Sequence, residues 1–421
     1  MTRFRTLDHP MMPMIAWDPA RPAARINDHM LMVRATSNAY VITADEGDVV
    51  INTGTPAQGK IIRERMEEAL GRPLKVAKVI FTQSHPDHIG GWEAFADPGT
   101  EFIGQRNFTQ ICAERKLLGS FFHQRNMRVL AALMPKTDKP DHWFTTPDPA
   151  PLTTFADRYE FSFAGRDYAL ISVSSGETID ALAVWMPAEK TLFTGNWAGA
   201  IYGALPNFYT ARGDRDRSVP GWLGHLDTLL ALGAELLITG HGDPIRGADR
   251  IRADLTKLGD AVRYIHDETV KGMNAQKDLP TLMAEITLPD HLKMAPGRGP
   301  VSWYVRAVWE EYAGWFRHQS TTELYATQPR SIWPELAEMA GGAGALAERA
   351  QAHIAAGRSV EALHLLEVAL AAEPANRAAL EAELAAYEQL ADRTEGKIFD
   401  ELGWLEGRII NTKEALAASA A

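Results

Sequence analysis

Cysteine is almost absent from this chain, whose 421 residues include only Cys112. A single thiol cannot form a disulfide within the chain, and it cannot supply the several sulfur ligands of a cysteine-rich metal site. The sequence offers no base or charged partner that would mark Cys112 as a nucleophile. We therefore expect this residue to be a small buried hydrophobe.

Long apolar runs are absent as well. No stretch approaches the roughly 20 apolar residues that a membrane-spanning helix needs. The first residues, MTRFRTLDHPMMPMIAWDPARP, lack the continuous apolar segment of a secretory signal. We expect a cytoplasmic protein that has no membrane partner.

Basic residues are fewer than acidic ones, with 43 lysines and arginines against 54 aspartates and glutamates. The formal net charge of −11 argues against non-specific nucleic-acid binding, which needs a basic surface. An anionic small substrate remains possible, because a binding site depends on local charge. The length suffices for about two or three ordinary domains.

Strand-like and helical segments alternate over roughly the first 250 residues. AYVITA and DVVINTG have the β-branched and apolar composition of strands, and the turn at 45–48 separates them. The segment 56–75 has helical spacing, and VAKVIFTQ then predicts a short buried strand. Polar loops follow this strand and several later ones. The predicted strand ends carry His85, Asp87, His88, Glu177, Asn196 and His241.

The strand signals vanish after about residue 255. Residues 335–418 are rich in alanine, leucine and glutamate, and they are similar to the paired helices of tetratricopeptide-like repeats. An interaction surface and a helical bundle that completes the fold are both compatible with this pattern. We predict two domains, at residues 1–255 and 256–421.

The loop TQSHPDH at 82–88 offers metal ligands directly after an apolar strand. A common two-metal hydrolase signature reads T-H-x-H-x-D-H, and here Gln83 takes the place of the first histidine. Imidazole and carboxylate groups bind zinc and iron well. An incidental surface loop is the alternative interpretation, but the preceding strand and the glycines at 90–91 argue against it.

Three further elements follow in the order of the metallo-β-lactamase superfamily: SSGET at 174–178, FTGNW at 193–197 and TGHGDP at 239–244. The first 250 residues therefore resemble this superfamily. Glu177, where most members have histidine, and NFYTARGDRDR at 207–217 are similar to the alkyl sulfatase-like family. The resemblance implies an α/β fold: an αββα sandwich followed by an all-α, repeat-like dimerisation domain. It also implies a homodimer formed through the C-terminal helices.

The resemblance also implies a set of metal ligands. It assigns Gln83, His85 and Glu177 to one metal position and Asp87, His88 and His241 to the other, with Asn196 in place of a bridging carboxylate. An amide is a poorer ligand than imidazole, and asparagine lacks the bridging negative charge. We therefore expect one tightly bound Zn2+ and a second ion that is weak or absent, with iron or manganese as alternatives.

Substrate contacts are implied in the same way. Asn207, Thr210 and Arg212 match residues that contact the sulfate group in the family, and Arg125 lies in a segment similar to one that lines the cleft. An arginine offers a planar fork of donors to an oxyanion. A salt-bridged surface arginine is the alternative interpretation of Arg212.

The implied function is a metallo-hydrolase of alkyl sulfates or related small anionic esters. A metal-bound hydroxide would attack, Asp87 would hold the metal and orient the water, and Arg212, Asn207 and Thr210 would hold the oxyanion. Attack on sulfur and attack on carbon are both compatible with these residues. One alternative is a lactone, carboxylic-ester or phosphoester hydrolase on the same fold. A metal-poor binding or interaction protein is another.

Overall fold

In the computed structural model, the described residues are 5–130, 152–211, 213–215, 217–295, 297–394 and 397–419. The predicted substrate residue Arg212 lies outside them. The chain forms two compact units. The sheet unit contains residues 10–125 and 136–311, and the helical unit contains residues 1–9, 126–135 and 312–421.

Two β-sheets form the centre of the sheet unit. The first sheet has seven strands in sequential order: β1 (Ala24–Asn27), β2 (Met30–Val33), β3 (Ala39–Ile42), β4 (Asp48–Ile51), β5 (Val76–Ile80), β6 (Glu101–Gln105) and β7 (Leu152–Phe155). The second sheet contains β8 (Arg158–Phe163), β9 (Arg166–Ser172), β10 (Leu182–Met186), β11 (Thr191–Gly195), β12 (Leu236–Thr239) and β13 (Ile245–Arg246). Its strand order is β13-β12-β11-β10-β9-β8.

Helices up to residue 313 are interspersed with these strands. They are α1 (Met12–Ile15), α2 (Gly59–Leu70), α3 (Pro86–Ile89), α4 (Phe108–Leu117), α5 (Gly119–Val129), α6 (Val219–Ala231), α7 (Ala248–Asn274), α8 (Leu279–Glu285) and α9 (Val301–Ala313). Helix α7 runs through the domain boundary that we place after residue 255, and this boundary stays a prediction.

Alternating side chains give the sheets two buried faces. On β3, Tyr40 and Ile42 join the core between the sheets, whereas Ala39 and Val41 pack in a cluster with α2 and α4. Cys112 is buried in that outer cluster, as the sequence predicts. The outer face of the second sheet packs against α6, α7 and α9. Four layers result, and the predicted αββα sandwich is confirmed.

Strand direction brings the polar loops to common edges. Strands β4 and β5 are parallel, and so are β11 and β12. Strand β9 runs in the same direction as β11, because both are antiparallel to β10. The loops after β9, β11 and β12 therefore leave the same edge of the second sheet, which is how α/β folds assemble sites from distant residues.

The helical unit contains α10 (Trp333–Met339), α11 (Ala343–Ala355), α12 (Ser359–Ala372), α13 (Arg377–Arg393) and α14 (Phe399–Ala418). Small alanine side chains fill much of its core and allow the helices to approach closely. Gly357, with φ of 74°, lies in the turn between α11 and α12. The predicted helical C-terminal region is confirmed. Within the described ranges, no helix combines the length and the apolar content that crossing a membrane requires.

Trp222 on α6 anchors the outer face of the second sheet. Its ring stacks on Trp197 at 4.7 Å, and its Nε1 donates to the Trp197 carbonyl at 2.9 Å. Because the side chain is fully buried, we expect Trp222→Ala to lower the free energy of unfolding by about 3–5 kcal/mol in urea denaturation. The control is Trp315→Ala at a position that is 75% exposed, and an equal effect of both changes would contradict this assignment.

Candidate metal centre

The loop that follows β5 is tied to the end of β4. Asn52 adopts the left-handed conformation, with φ of 58°, which asparagine tolerates better than most residues. Its side-chain oxygen accepts hydrogen bonds from the Thr82 backbone N–H at 3.0 Å and from the Thr82 hydroxyl at 3.1 Å. The Thr53 N–H donates to the His88 carbonyl at 2.7 Å. These bonds fix the loop before any ligand binds.

Asp87 and His88 lie in the one-turn helix α3 rather than in an open loop. Gly91 lets this turn pack closely against the rest of the sheet unit. A Cβ atom at this position would lie 2.2 Å from the Thr53 carbonyl oxygen and 2.5 Å from the Gly59 Cα. The glycines after the motif are therefore required by close backbone packing.

Asp87, His88 and His241 form a cluster that can hold a metal ion. One ligand atom of each lies within 4.8 Å of the others. The Asp87 Oδ2 atom is 3.7 Å from His88 Nε2 and 3.8 Å from His241 Nε2. Both imidazoles are buried, whereas the Asp87 side chain is 26% exposed. The structure thus brings together the three ligands that the sequence assigns to one position.

Hydrogen bonds orient both imidazoles. His241 Nδ1 donates to the Thr36 carbonyl at 2.5 Å, so its Nε2 carries the lone pair that faces Asp87. Ser37 Oγ lies 3.1 Å from His88 Nδ1 and donates its own hydrogen to the Gly240 carbonyl. His88 Nε2 is buried and has no hydrogen-bond partner among the described residues. A buried nitrogen of this kind fits a metal ligand.

Burial lowers the pKa of His88 to about 3. It also lowers the pKa of His241, although the Asp87 carboxylate opposes the shift. Both imidazoles are therefore neutral near pH 7. Neutral imidazole is the form that binds metal ions, so no proton has to leave these rings first.

Gln83, His85 and Glu177 form a second group beside this cluster. His85 Nδ1 lies 3.4 Å from Glu177 Oε1 and 2.7 Å from Gln83 Nε2. The Gln83 Oε1 atom accepts a hydrogen bond from the Asn196 N–H at 3.2 Å. The three residues assigned to the other metal position are thus also brought together, but they contact one another directly.

Asn196 adjoins both groups. Its backbone N–H donates to Gln83 Oε1. Its side-chain oxygen and the His88 ring both lie close to Gly240. A Cβ atom at Gly240 would lie 2.1 Å from Asn196 Oδ1 and 2.8 Å from His88 Cε1. This is the place expected for a residue between two metal positions, and here it is occupied by an uncharged amide.

A network of charged residues that the sequence did not reveal surrounds the second group. Asp214 Oδ2 accepts from His85 Nε2 at 3.0 Å and lies 3.5 Å from guanidinium nitrogens of both Arg115 and Arg217. Arg217 Nη1 donates to Glu177 Oε2 at 2.9 Å. Burial alone would raise the pKa of the Asp214 carboxyl, but the His85 hydrogen bond and the arginine charges bring it well below its usual value.

The predicted anion-binding motif lies next to this network. The Asn207 backbone carbonyl accepts from Arg217, and the Asn207 side-chain amide lies beside Arg298 Nε. Thr210 lines a cavity of about 330 Å³. The other residues that line this cavity are Phe208, Tyr209, Ala211, Arg215, Arg217, Trp303, Arg306, Ala307, Glu310 and Glu311.

Arg125 lies beside the same motif. A Cβ atom at Gly213 would lie 2.8 Å from the Arg125 Nε. Its guanidinium also packs over the Phe121 ring at 5.3 Å. Arg125 is therefore placed beside Gly213, and its contact with an anion stays a prediction.

Comparison with known proteins matches two family models to separate parts of the chain. The metallo-beta-lactamase superfamily model matches residues 33–100, and the alkyl sulfatase dimerisation model matches residues 280–401. A linear primary-alkylsulfatase of a Pseudomonas species is 28% identical over 300 residues, which are 66% of this chain and 56% of that protein. An alkyl/aryl-sulfatase of Saccharomyces cerevisiae is 26% identical over 88% of this chain and 61% of its own length.

The fold matches a solved structure of a stereoselective inverting sec-alkylsulfatase from a Pseudomonas species. The TM-score is 0.80 at 23% identity, and the match covers 93% of this chain and 65% of that one. The chain thus spans between about half and two thirds of the length of these proteins. Taken together, these matches place residues 33–100 in the metallo-β-lactamase superfamily and residues 280–401 in the alkyl sulfatase dimerisation family, and the chain is similar to alkylsulfatases over most of its length.

Proposed function

We propose that the protein is a metal-dependent hydrolase of small anionic esters, with alkyl sulfates as the leading substrate class. The observation that carries this proposal is the Asp87, His88 and His241 cluster, whose imidazoles are neutral and oriented towards one point. The substrate class is supported by the names of the matched proteins and by the Asn-x-x-Thr-x-Arg motif at 207–212.

A divalent ion held by this cluster would polarise a water molecule and lower its pKa. Zinc is the ion that we propose, with iron and manganese as alternatives, because all three accept imidazole and carboxylate ligands. Asp87 combines a ligand atom between the two imidazoles with partial exposure to solvent, so it is suited to orient the attacking water. Thr36 and Ser37 keep the imidazoles in position.

We place the substrate in the cavity that Thr210 lines. Phe208 and Trp303 offer apolar surface for an alkyl chain, and the guanidinium groups of Arg217 and Arg306 offer hydrogen-bond donors for an anionic ester group. Asn207, Thr210 and Arg212 are proposed to hold the oxyanion. Developing negative charge on a transferred group is best stabilised by fixed donors of this kind.

Loss of one metal ligand should abolish tight metal binding. We expect His241→Ala to lose its metal on mild chelation and to lower kcat/KM for a short alkyl sulfate by roughly 100-fold or more. Elemental analysis and a sulfate-release assay measure both effects. His364→Ala is the control, because that side chain is 73% exposed. Unchanged metal content in His241→Ala would reject the proposed centre.

Removal of the proposed sulfate contact should affect anionic substrates selectively. We expect Arg212→Ala to lower kcat/KM for alkyl sulfates by roughly 10- to 100-fold, and to leave neutral carboxylic esters nearly unaffected. Arg158→Ala is the control, since Arg158 is 49% exposed, pairs with Glu160 at 2.6 Å and does not line the cavity. Equal losses on both ester types would refute the assignment.

Phosphoesters and lactones in the same panel test the alternative activities.

We further propose a homodimer that forms through the C-terminal helices. Ile332, Leu336 and Met339 follow the i, i+4, i+7 spacing of one helix face at α10, and they are 48%, 42% and 85% exposed. An exposed apolar face of this kind is typical of an interaction surface. It lies within the region that matches the alkyl sulfatase dimerisation model.

Charged substitutions on this face should weaken the dimer. We expect Leu336→Glu combined with Met339→Glu to shift the protein from dimer to monomer in sedimentation velocity at micromolar concentration, because each carboxylate would be desolvated at the interface. Val360→Glu, at a position that is 50% exposed on α12, is the control. A monomeric wild-type protein would rule out the dimer.

A further inference from the structure

We infer that the Gln83 amide and the Arg217 guanidinium close the second metal position, so that each chain binds one metal ion and keeps a built-in cation in place of the other. The inference concerns the group formed by Gln83, His85 and Glu177. It goes beyond the proposed function, which depends on the Asp87, His88 and His241 cluster.

Hydrogen bonds at both ends fix the Gln83 amide. Its Oε1 accepts from the Asn196 N–H, and its Nε2 donates to His85 Nδ1 at 2.7 Å. Turning the amide so that its oxygen faces a metal would place its NH2 group against the Asn196 N–H, donor against donor. Gln83 is fully buried, so water cannot compensate for the lost bonds. The amide therefore acts as a donor here rather than as a ligand.

The hydrogen bond from Gln83 also occupies His85 Nδ1, the one ring nitrogen that could bind a metal ion. His85 Nε2 donates to Asp214 Oδ2 at 3.0 Å, which leaves the lone pair on Nδ1. A lone pair that accepts the Gln83 N–H cannot bind a metal ion at the same time. Gln83 therefore blocks the nitrogen atom that His85 would supply as a metal ligand.

Glu177 is the single carboxylate among Gln83, His85, Glu177 and Asn196, and its charge is already balanced. Arg217 Nη1 donates to Glu177 Oε2 at 2.9 Å, with side-chain exposures of 1% and 5%. A charged hydrogen bond between two groups this deeply buried is costly to break, because either partner would be left as an unpaired charge. A divalent ion at the same place would also be repelled by the guanidinium.

The surrounding charges agree with this interpretation. Arg115 and Arg217 carry two positive charges, and their contact partners Asp214 and Glu177 carry two negative ones. These four side chains leave no excess negative charge to offset a second divalent ion. Arg217 also lines the cavity proposed for the substrate, so the fixed cation stands beside the space where an anionic group would bind.

Counting metal ions tests the inference without an activity assay. The metal-free full-length protein is titrated with Co2+ and followed by visible absorption and by equilibrium dialysis with elemental analysis. We expect the wild type and His85→Ala each to bind one equivalent of Co2+. We expect His241→Ala to bind no Co2+ tightly. Two tight equivalents in the wild type, or a loss of metal in His85→Ala, would overturn the inference. His241→Ala separately tests the metal centre on which the proposed function depends.

A double substitution tests the two residues that close the position. Gln83→His combined with Arg217→Met removes the blocking amide and the guanidinium, so we expect a second, weaker equivalent of Co2+ to bind. Gln83→His combined with Arg215→Met is the matched control, because it removes the charge of the exposed arginine two residues away and should stay at one equivalent. Far-UV circular dichroism verifies that both variants are folded. One equivalent in the folded Arg217 variant, or two in the control, would contradict the roles assigned to these residues.

Discussion

Burial of His88 and His241 is the constraint on which the rest of the site depends. A buried imidazole needs partners for both ring nitrogens, because an unsatisfied polar atom is costly away from water. The protein supplies a partner for one nitrogen of each ring, through Thr36 and Ser37, and directs the other nitrogen towards Asp87. The left-handed Asn52, the hydrogen bonds to Thr82 and the absence of a side chain at Gly240 all follow from this need. The imidazole nitrogens that face away from Asp87 thus have hydrogen-bond partners, and the nitrogens that face Asp87 are left for a cation.

The neighbouring group differs from this cluster, because its polar atoms bind one another. Gln83, His85 and Glu177 are also buried, but each of them has its donors or acceptors matched within the protein. The same edge of the sandwich therefore carries one group that is open to a metal ion and one that is closed by its own hydrogen bonds and charges. The fold does not determine which group is open to a metal ion. The identity of a few side chains at the strand ends determines it.

Much of this architecture could be predicted from sequence. The β-branched and apolar composition of AYVITA predicts β3, and the apolar run before Gln83 predicts β5, because these signals are local. The contacts of Asp214 could not be predicted, since it binds His85 across 129 positions and stands in a charged run that is typical of solvent-exposed loops. Gln83 was expected to be a weak ligand. Its role as a donor depends on the Asn196 backbone, which sequence patterns do not locate.

A fixed guanidinium differs from a second metal ion in one respect that bears on function. The Arg217 guanidinium is covalently part of the chain and cannot leave it, whereas a metal ion exchanges with solvent and competes with protons for its ligands. The charge of Arg217 is balanced by Glu177 and Asp214 without any ion. Removal of the metal would therefore leave this network intact and would affect only the Asp87, His88 and His241 cluster. Under the proposed function, recognition of the anionic group and activation of water would thus depend on separate groups, one permanent and one exchangeable.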